Sequence, residues 1–348
     1  MDVVKRLNRL YTKAEKEDIL FFLSTEDSDE IDALYKFAGQ VREEHTGNEI
    51  HLRGLLEFSN HCSRLCTYCG LNKTNNNLTR YRIDREDIVK IAIDASLSGY
   101  RTIVLQSGED SSYSIEDYTY ILREIKSNTD LAITLGIGER TFEEYRILKE
   151  NGANRYLLKH ETSDTALYKK LNPGMSLKYR LNSLKELKKL GYEVGSGIMI
   201  GLPWQTLDII ADDIILFKEY DFDMIGCGPF IAHEATPLAG FPSGDTELSF
   251  KVLAINRIVT RDTNLPFTTS LSVLTKEEQN SFTEPFFRGA NVIMPKITPL
   301  NYQKLYDIYP NDNLYNGNSK DFIKSINTSL KTRGLKVSTS LGNRLNTR

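Results

Sequence analysis

Three of the four cysteines in this 348-residue chain fall within eight positions, in CSRLCTYCG, residues 62–70. Thiols used for packing or for disulfides need no such crowding. A C-x3-C-x2-C spacing on so short a segment therefore reads as a set of metal ligands. Three thiolates on a four-iron cube leave one iron open to a chelating ligand, much as a catalytic zinc keeps an exchangeable position. Zinc is the rival metal, with His61 completing a Cys3His set. Adjacent His61 and Cys62 would strain to reach one tetrahedral centre, however, and no second cysteine pair follows. The fourth cysteine, Cys227, reads as a buried thiol facing a helix.

Side chains on such a loop need a rigid scaffold, and the sequence supplies one. From residue 51 onward, β-like runs alternate with helical periodicity. The runs are HLRGLLEF (51–58), RTIVLQS (101–107), LAITLG (131–136), RYLLKHE (155–161), YEVGSGIMIG (192–201), FDMIGCGPF (222–230), LPFTTSL (265–271) and ANVIMP (290–295). Between them the periodicity predicts helices near 85–98, 114–127, 140–151, 176–190, 205–219, 247–260 and 276–288. Eight such units over about 250 residues imply a complete (β/α)8 barrel of parallel strands, with a doubly wound open sheet as the alternative. The α/β barrel takes 49–310. Residues 1–48 form an N-terminal helical extension, and 311–348 a short C-terminal appendage of the same domain with a helical stretch near 320–333. The polar patch NKTNNNLT (72–79) reads as a surface loop.

Charge and hydropathy narrow the function classes. The 44 basic and 47 acidic residues leave a net charge of −3, which gives no reason to invoke nucleic acid or an anionic membrane as a partner. No apolar run approaches the roughly 20 residues of a membrane span. The amphipathic N-terminus, MDVVKRLNRLYTKAEKEDIL, lacks the apolar core of a secretory signal. Few cysteines, mostly clustered, suit a reducing cytoplasm.

In such a barrel the site forms where the strands end. The exit segments are the cysteine loop, SGED (107–110), GIGE (136–139), His160–Glu161, GLP (201–203), GPF (228–230), TTSLSV (268–273) and PKITP (295–299). Strand alternation puts Arg53 and Glu57 on one face, and Arg155, Lys159 and Glu161 on one face. Charges there suit either an internal ion-pair network or a polar lumen for an anionic or zwitterionic ligand. In the helix SLKYRLNSLKELKKL, Arg180 falls inside the arc of Leu177, Leu181, Leu184, Leu187 and Leu190, near the N-terminus and able to reach over the barrel mouth. A snorkelling arginine is the plainer alternative.

CSRLCTYCG, with Tyr68 before its last cysteine, resembles the CxxxCxxC signature of the radical S-adenosylmethionine (SAM) superfamily. The resemblance implies that Cys62, Cys66 and Cys69 hold one [4Fe–4S] cluster, whose open iron binds SAM, and that reduction cleaves SAM to a 5′-deoxyadenosyl radical. SGED resembles the motif that takes SAM's amino group, so Ser107, Gly108 and Glu109 join Tyr68 as cofactor contacts. EFSNHCSRLCTYCGL, RTIVLQSGED, RYLLKHET, GLPWQT, FDMIGCGPFI and GANVIMP resemble the HydE family of [FeFe]-hydrogenase maturases over about residues 45–310. By that resemblance Glu161, Arg180 and Met224 also contact SAM. Arg53, Thr134, Arg155, Thr268 and Thr269 line an anion or substrate pocket, and Tyr302 and Tyr306 close it. The substrate would be a small iron–cysteine species, the reductant a ferredoxin or flavodoxin, and other hydrogenase maturases possible partners. No cysteine follows Cys227, so no second cluster is expected, and this departs from some members of the family. The same shortage of cysteines makes biotin synthase a weak match. Methylornithine synthase, a lysine mutase, is the main alternative, and a non-catalytic Fe–S carrier the third.

Overall fold

In a computed structural model of the chain, described for residues 2–275, 282–310 and 316–345, strands and helices alternate around a closed ring. Three helices come first: α1 (Val3–Thr12), α2 (Lys16–Ser24) and α3 (Ser28–Thr46). Asp2 and Asp27 cap α1 and α3 by accepting from free N–H groups of the first turn. The three pack on one another and against the barrel helices α9 (Leu207–Tyr220) and α10 (Thr246–Thr260). Fully buried Asp18 is held there by Arg6 at 2.9 Å and Arg9 at 2.5 Å.

The strands are β1 (Glu49–Ser59), β2 (Thr102–Ser107), β3 (Ala132–Gly136), β4 (Arg155–Leu157), β5 (Glu193–Ser196), β6 (Met199–Ile200), β7 (Met224–Ile225), β8 (Gly228–Pro229), β9 (Pro266–Phe267), β10 (Val292–Ile293) and β11 (Lys336–Val337). Eight of them run in parallel in the order β7-β5-β4-β3-β2-β1-β10-β9. A parallel bridge between Met224 and Asn264, with the Ile225 amide donating to the Asn264 carbonyl at 3.0 Å, joins the two ends. The barrel, rather than the open sheet, is therefore the fold. Two sequence runs break in the middle: β6 and β8 continue β5 and β7 after a kink and pair with each other outside the main ring.

Between the strands lie α4 (Arg85–Ser98), α5 (Ile115–Asn128), α6 (Phe142–Glu150), α7 (Thr165–Leu171), α8 (Leu177–Lys189), α11 (Thr269–Leu274), α12 (Glu284–Phe287) and α13 (Leu300–Gln303). Capping boxes at Ser114/Asp117 and Thr141/Glu144 start α5 and α6, and Gly99 in a left-handed conformation stops α4. Helix α7 is absent from the sequence reading. LPFTTSL, read there as a single strand, stops at Phe267 and turns into α11. Part of the helix expected near 276–288 lies outside the described residues. No helix among the described residues is long and apolar enough to cross a membrane.

The C-terminal segment is more than an appendage. After α14 (Lys320–Lys331), β11 pairs in parallel with the start of β1, and the chain then runs across the N-terminal mouth of the barrel. The Leu341 carbonyl accepts from Thr102 at 2.8 Å and from Arg155 at 2.9 Å. The Gly342 carbonyl accepts from Arg53 at 3.0 Å and from Asn264 at 3.2 Å. Arg344, its side chain 2% exposed, bonds fully buried Asp262 at 2.8 Å and Asp221 at 2.9 Å. The tail is the floor of the barrel. Replacing Arg344 with Met removes the guanidinium that pairs with buried Asp262 and with Asp221. The expected loss is about 3 kcal/mol of unfolding free energy, read from urea melts of the full chain. A loss below about 1 kcal/mol would show that the tail does not brace the barrel.

Candidate functional site

The opposite, C-terminal mouth holds a cavity of about 340 Å³. The three cysteines stand on its wall, on the long loop between β1 and α4, together with Tyr68, Ser107, Gly108, Glu109, Glu161, Arg180, Met224, Thr268 and Thr269. Every residue that the family resemblance assigns to the cluster and to SAM thus meets at one place. The loop can approach β2 only because residue 108 is glycine. A Cβ there would stand 2.2 Å from the His61 carbonyl oxygen and 2.7 Å from the Cys62 Cβ. His61 faces a separate outer pocket of about 250 Å³, which Cys62 also borders but Cys66 and Cys69 do not. A Cys3His zinc site therefore has no geometric support.

The three thiols are crowded together, each partly buried. Burial pushes all three pKa values up, and the negative neighbours add to it, so that Cys66 is pushed up to about 12 by burial and by Cys62. Three mutually repelling sulfurs at a cavity wall are the donor set a cationic iron cluster would satisfy.

Four charges alternate beside them. Arg64 bonds Glu109 at 2.5 Å and Glu139 at 3.2 Å. Arg180 bonds Glu139 at 2.7 Å and approaches Glu109 to 3.9 Å. Burial works against the charge on Arg180, but Glu139 and Glu109 outweigh it and raise its pKa. Arg180 also donates to the Lys159 carbonyl at 3.0 Å, so it crosses the mouth and does not snorkel outward. Neither Arg64 nor Glu139 was singled out from the sequence, although both lie in the quoted exit segments. Gly138 leaves room for this ring: at a φ of 79°, its Cβ would meet the Glu109 Cγ at 2.0 Å.

Glu161 is the most unusual residue of the wall. Its backbone is left-handed at a φ of 65°, which a non-glycine residue rarely adopts. One carboxylate oxygen, Oε2, is buried with no hydrogen-bond partner, and Lys159 comes only within 3.8 Å. A buried, unsatisfied acceptor aimed into a cavity calls for a ligand with hydroxyl or cationic groups. The residues present therefore fit both groups that the resemblance implies.

The expected substrate residues divide. Thr268 and Thr269 line the cavity. Arg53 lies below Met224, donating to its sulfur at 2.9 Å, and burial beside Arg155 pushes its pKa down to about 9. Arg155 is taken up by Glu193, Thr102 and the C-terminal tail. The Thr134 hydroxyl is buried between them in the ring without a partner. None of these three lines the cavity. Tyr306 accepts from cavity residue Gln106 at 3.2 Å, while Tyr302 stacks on Tyr81 farther out. The patch at 72–79 is only partly the surface loop expected. Asn72 and Asn75 are buried, donating to the carbonyls of Cys69 and Gly70 at 2.8 Å each. Side-chain amides bonding the local backbone are ordinary chemistry for asparagine, but composition alone hides which of them turn inward. Cys227 is buried and accepts weakly from Asn256 on α10 at 3.6 Å, as its strand parity implies.

The family model of the radical SAM superfamily matches residues 56–216. The chain is 45% identical over 310 residues to the [FeFe] hydrogenase maturase subunit HydE of Thermotoga maritima, covering 89% of this chain and 87% of that protein. It is 31% identical over 245 residues to 3-methylornithine synthase of Methanosarcina acetivorans, covering 70% and 69%. The crystal structure of methylornithine synthase PylB superposes with a TM-score of 0.83 at 26% identity, covering 96% of this chain and 97% of that one.

In the metal-free chain the raised Cys66 pKa keeps the thiol protonated near neutrality, and only the thiolate alkylates. Iodoacetamide should label Cys66 slowly at pH 8. The rate should climb about tenfold per pH unit up to about pH 11, read by peptide mass spectrometry. Labelling that levels off near pH 9 would refute the raised Cys66 pKa.

Proposed function

The chain belongs to the radical SAM superfamily, and we propose that it acts as a HydE-type maturase of [FeFe]-hydrogenase on a small iron–cysteine substrate. The observation that carries this reading is the convergence of the three thiols, the Arg64–Glu109–Arg180–Glu139 ring and the unsatisfied Glu161 carboxylate on one cavity. Identity to a HydE protein over most of the chain supports its narrower part. Methylornithine synthase remains the second reading, favoured by the close superposition of PylB.

Cys62, Cys66 and Cys69 would hold one [4Fe–4S] cluster; with Cys227 buried elsewhere, the four cysteines leave no set for a second. Such a cluster, when bound and reduced by a small electron carrier, would supply the one-electron chemistry that cleaves SAM. The chain's own residues bind, orient and exclude. The segment Ser107–Glu109 and the carboxylate of Glu161 offer acceptors for the ammonium and ribose hydroxyls of SAM. Arg180, held charged by its two glutamates, would pair with the SAM carboxylate, while Tyr68 and Met224 would supply apolar contact. Thr268 and Thr269 hydroxyls reach the substrate directly. Arg53, Thr134 and Arg155 act from beneath Met224, the arginines through their field rather than by contact, and Tyr306 and Tyr302 shut the rim. The tail across the floor closes the far end, so that a radical formed in the cavity is shielded from solvent.

Anaerobic reconstitution with iron and sulfide, followed by dithionite and SAM, tests the enzyme. Expected are about four irons per chain and release of 5′-deoxyadenosine and methionine, both lost in Cys66→Ala. Bound iron without SAM cleavage would return the chain to a carrier role. Conversion of an added iron–cysteine species supports the maturase, and conversion of lysine to methylornithine would replace it with the mutase. Separately, Glu161→Gln removes a charge-assisted acceptor. It should raise the KM for SAM about tenfold or more while leaving iron content unchanged, and an unaltered KM would remove Glu161 from the SAM site.

A further inference from the structure

Among the charged residues around the cysteine loop, Arg80 is bonded in an unusual way. Its Nη1 donates to the carbonyls of Asn60 at 2.5 Å and Leu71 at 2.9 Å, and its Nη2 to those of Asn72 at 2.8 Å and Asn75 at 3.2 Å. Asn60 precedes Cys62 by two residues, and Leu71 follows Cys69 by two. One guanidinium thus ties together both ends of the cysteine segment. Two neighbouring arginines are neutralised: Arg82 is chelated by Asp110 at 2.6 and 3.0 Å, and Arg64 pairs with two glutamates. No ion pair found among the described residues includes Arg80, whose partners are all neutral carbonyl oxygens. Burial lowers its pKa, and the sulfurs of Cys62 and Cys69 work against that lowering.

We propose that Arg80 is a positioning residue for the iron–sulfur cluster, clamping the cysteine loop by four carbonyls and raising the cluster's reduction potential through its uncompensated charge. The proposal rests on the reading of Cys62, Cys66 and Cys69 as cluster ligands. An added electron makes the cluster more negative, and a nearby cation stabilises that state more than the oxidised one. The potential therefore rises with the charge in place and falls without it. The clamp needs arginine's planar fork, since a lysine ammonium carries the charge but cannot span four acceptors on two chain segments. The two contributions are therefore separable.

Full-length wild type, Arg80→Lys and Arg80→Gln are reconstituted and compared by iron content, by the rate of iron loss to a chelator, and by redox titration followed by EPR. Arg80→Gln should lose iron several-fold faster and titrate at a more negative potential. Arg80→Lys should lose iron faster at an unchanged potential. A wild-type midpoint in Arg80→Gln, or wild-type iron loss in Arg80→Lys, overturns the proposal. Should Arg80→Gln fail to fold, the iron loss of Arg80→Lys still decides the clamp. Failure of the functional reading looks different: the wild type would take up no cluster, which overturns both. A cluster lost in Cys66→Ala but unaltered in Arg80→Gln leaves that reading standing and removes Arg80.

Discussion

Three thiols held together at the edge of one cavity repel one another as soon as they ionise, and the rest of the mouth is built around that constraint. Burial raises all three pKa values, with the neighbouring thiols adding to it at Cys66 and Cys69 and Glu109 at Cys62, so the metal-free loop favours protonated sulfurs. The chain cannot relax the crowding by moving the loop, which is locked from several sides. Asn60 donates to the carbonyls of Thr79 and Leu305, and Asn72 and Asn75 hold Cys69 and Gly70. At Gly70 a Cβ would stand 2.1 Å from the Asp307 carbonyl oxygen, so the loop lies hard against the segment after β10. The backbone cost is met in the polypeptide, and the electrostatic cost is left to a bound cationic group.

That division extends down the barrel axis. Above Met224 the lining is mixed, with open acceptors at Glu161 and hydroxyls at Thr268 and Thr269. Below it lie two buried arginines, Arg53 and Arg155, a pairing the fold tolerates because the tail delivers carbonyls and Glu193 delivers a carboxylate. Met224 separates the two layers, its sulfur on Arg53 and its methyl against Gly195, where a Cβ would stand 2.7 Å away. The upper layer can exchange ligands, whereas in the lower one the chain itself takes up Arg155 and the Nη groups of Arg53, leaving the Arg53 Nε and the Thr134 hydroxyl without a partner.

The parts that could be read from the sequence are those with local causes. Helix α4 was expected at 85–98 and ends there because Gly99 can take the left-handed conformation. Arg180 was expected at the mouth because helical geometry alone puts it in the leucine arc. The tail was not foreseen, since its partners Arg53, Thr102, Arg155 and Asn264 lie at least 78 residues away along the chain and no periodicity connects them. The same limit made Arg53 and Arg155 look like ligand contacts: alternation gives the face of a strand, not what fills the space opposite. Helix α7 is one short turn-rich segment whose Asp164 cap is clear only once Leu167 is seen to bond it.

The strain at Glu161 ties these threads together. A left-handed non-glycine residue costs about 1–3 kcal/mol, and it persists only where neighbours over-determine the backbone. Here the Glu161 amide donates to the Gly197 carbonyl at 3.0 Å and the Thr162 amide to the His160 carbonyl at 2.8 Å. The flanking residues are pinned as well. His160 Nδ1 meets Ser196 Oγ at 2.8 Å, its Nε2 lies 3.6 Å from fully buried Asp213, and Asp213 accepts from the Ser163 amide at 2.5 Å. His160 and Asp213 thus fix the chain on both sides of Glu161 from within the core, out of reach of any ligand. Had the carboxylate only to satisfy the protein, a relaxed backbone and a hydrogen bond to Lys159 would serve it better. A strained backbone and an empty acceptor, both enforced from behind, are the marks of a side chain held in readiness for something the cavity receives.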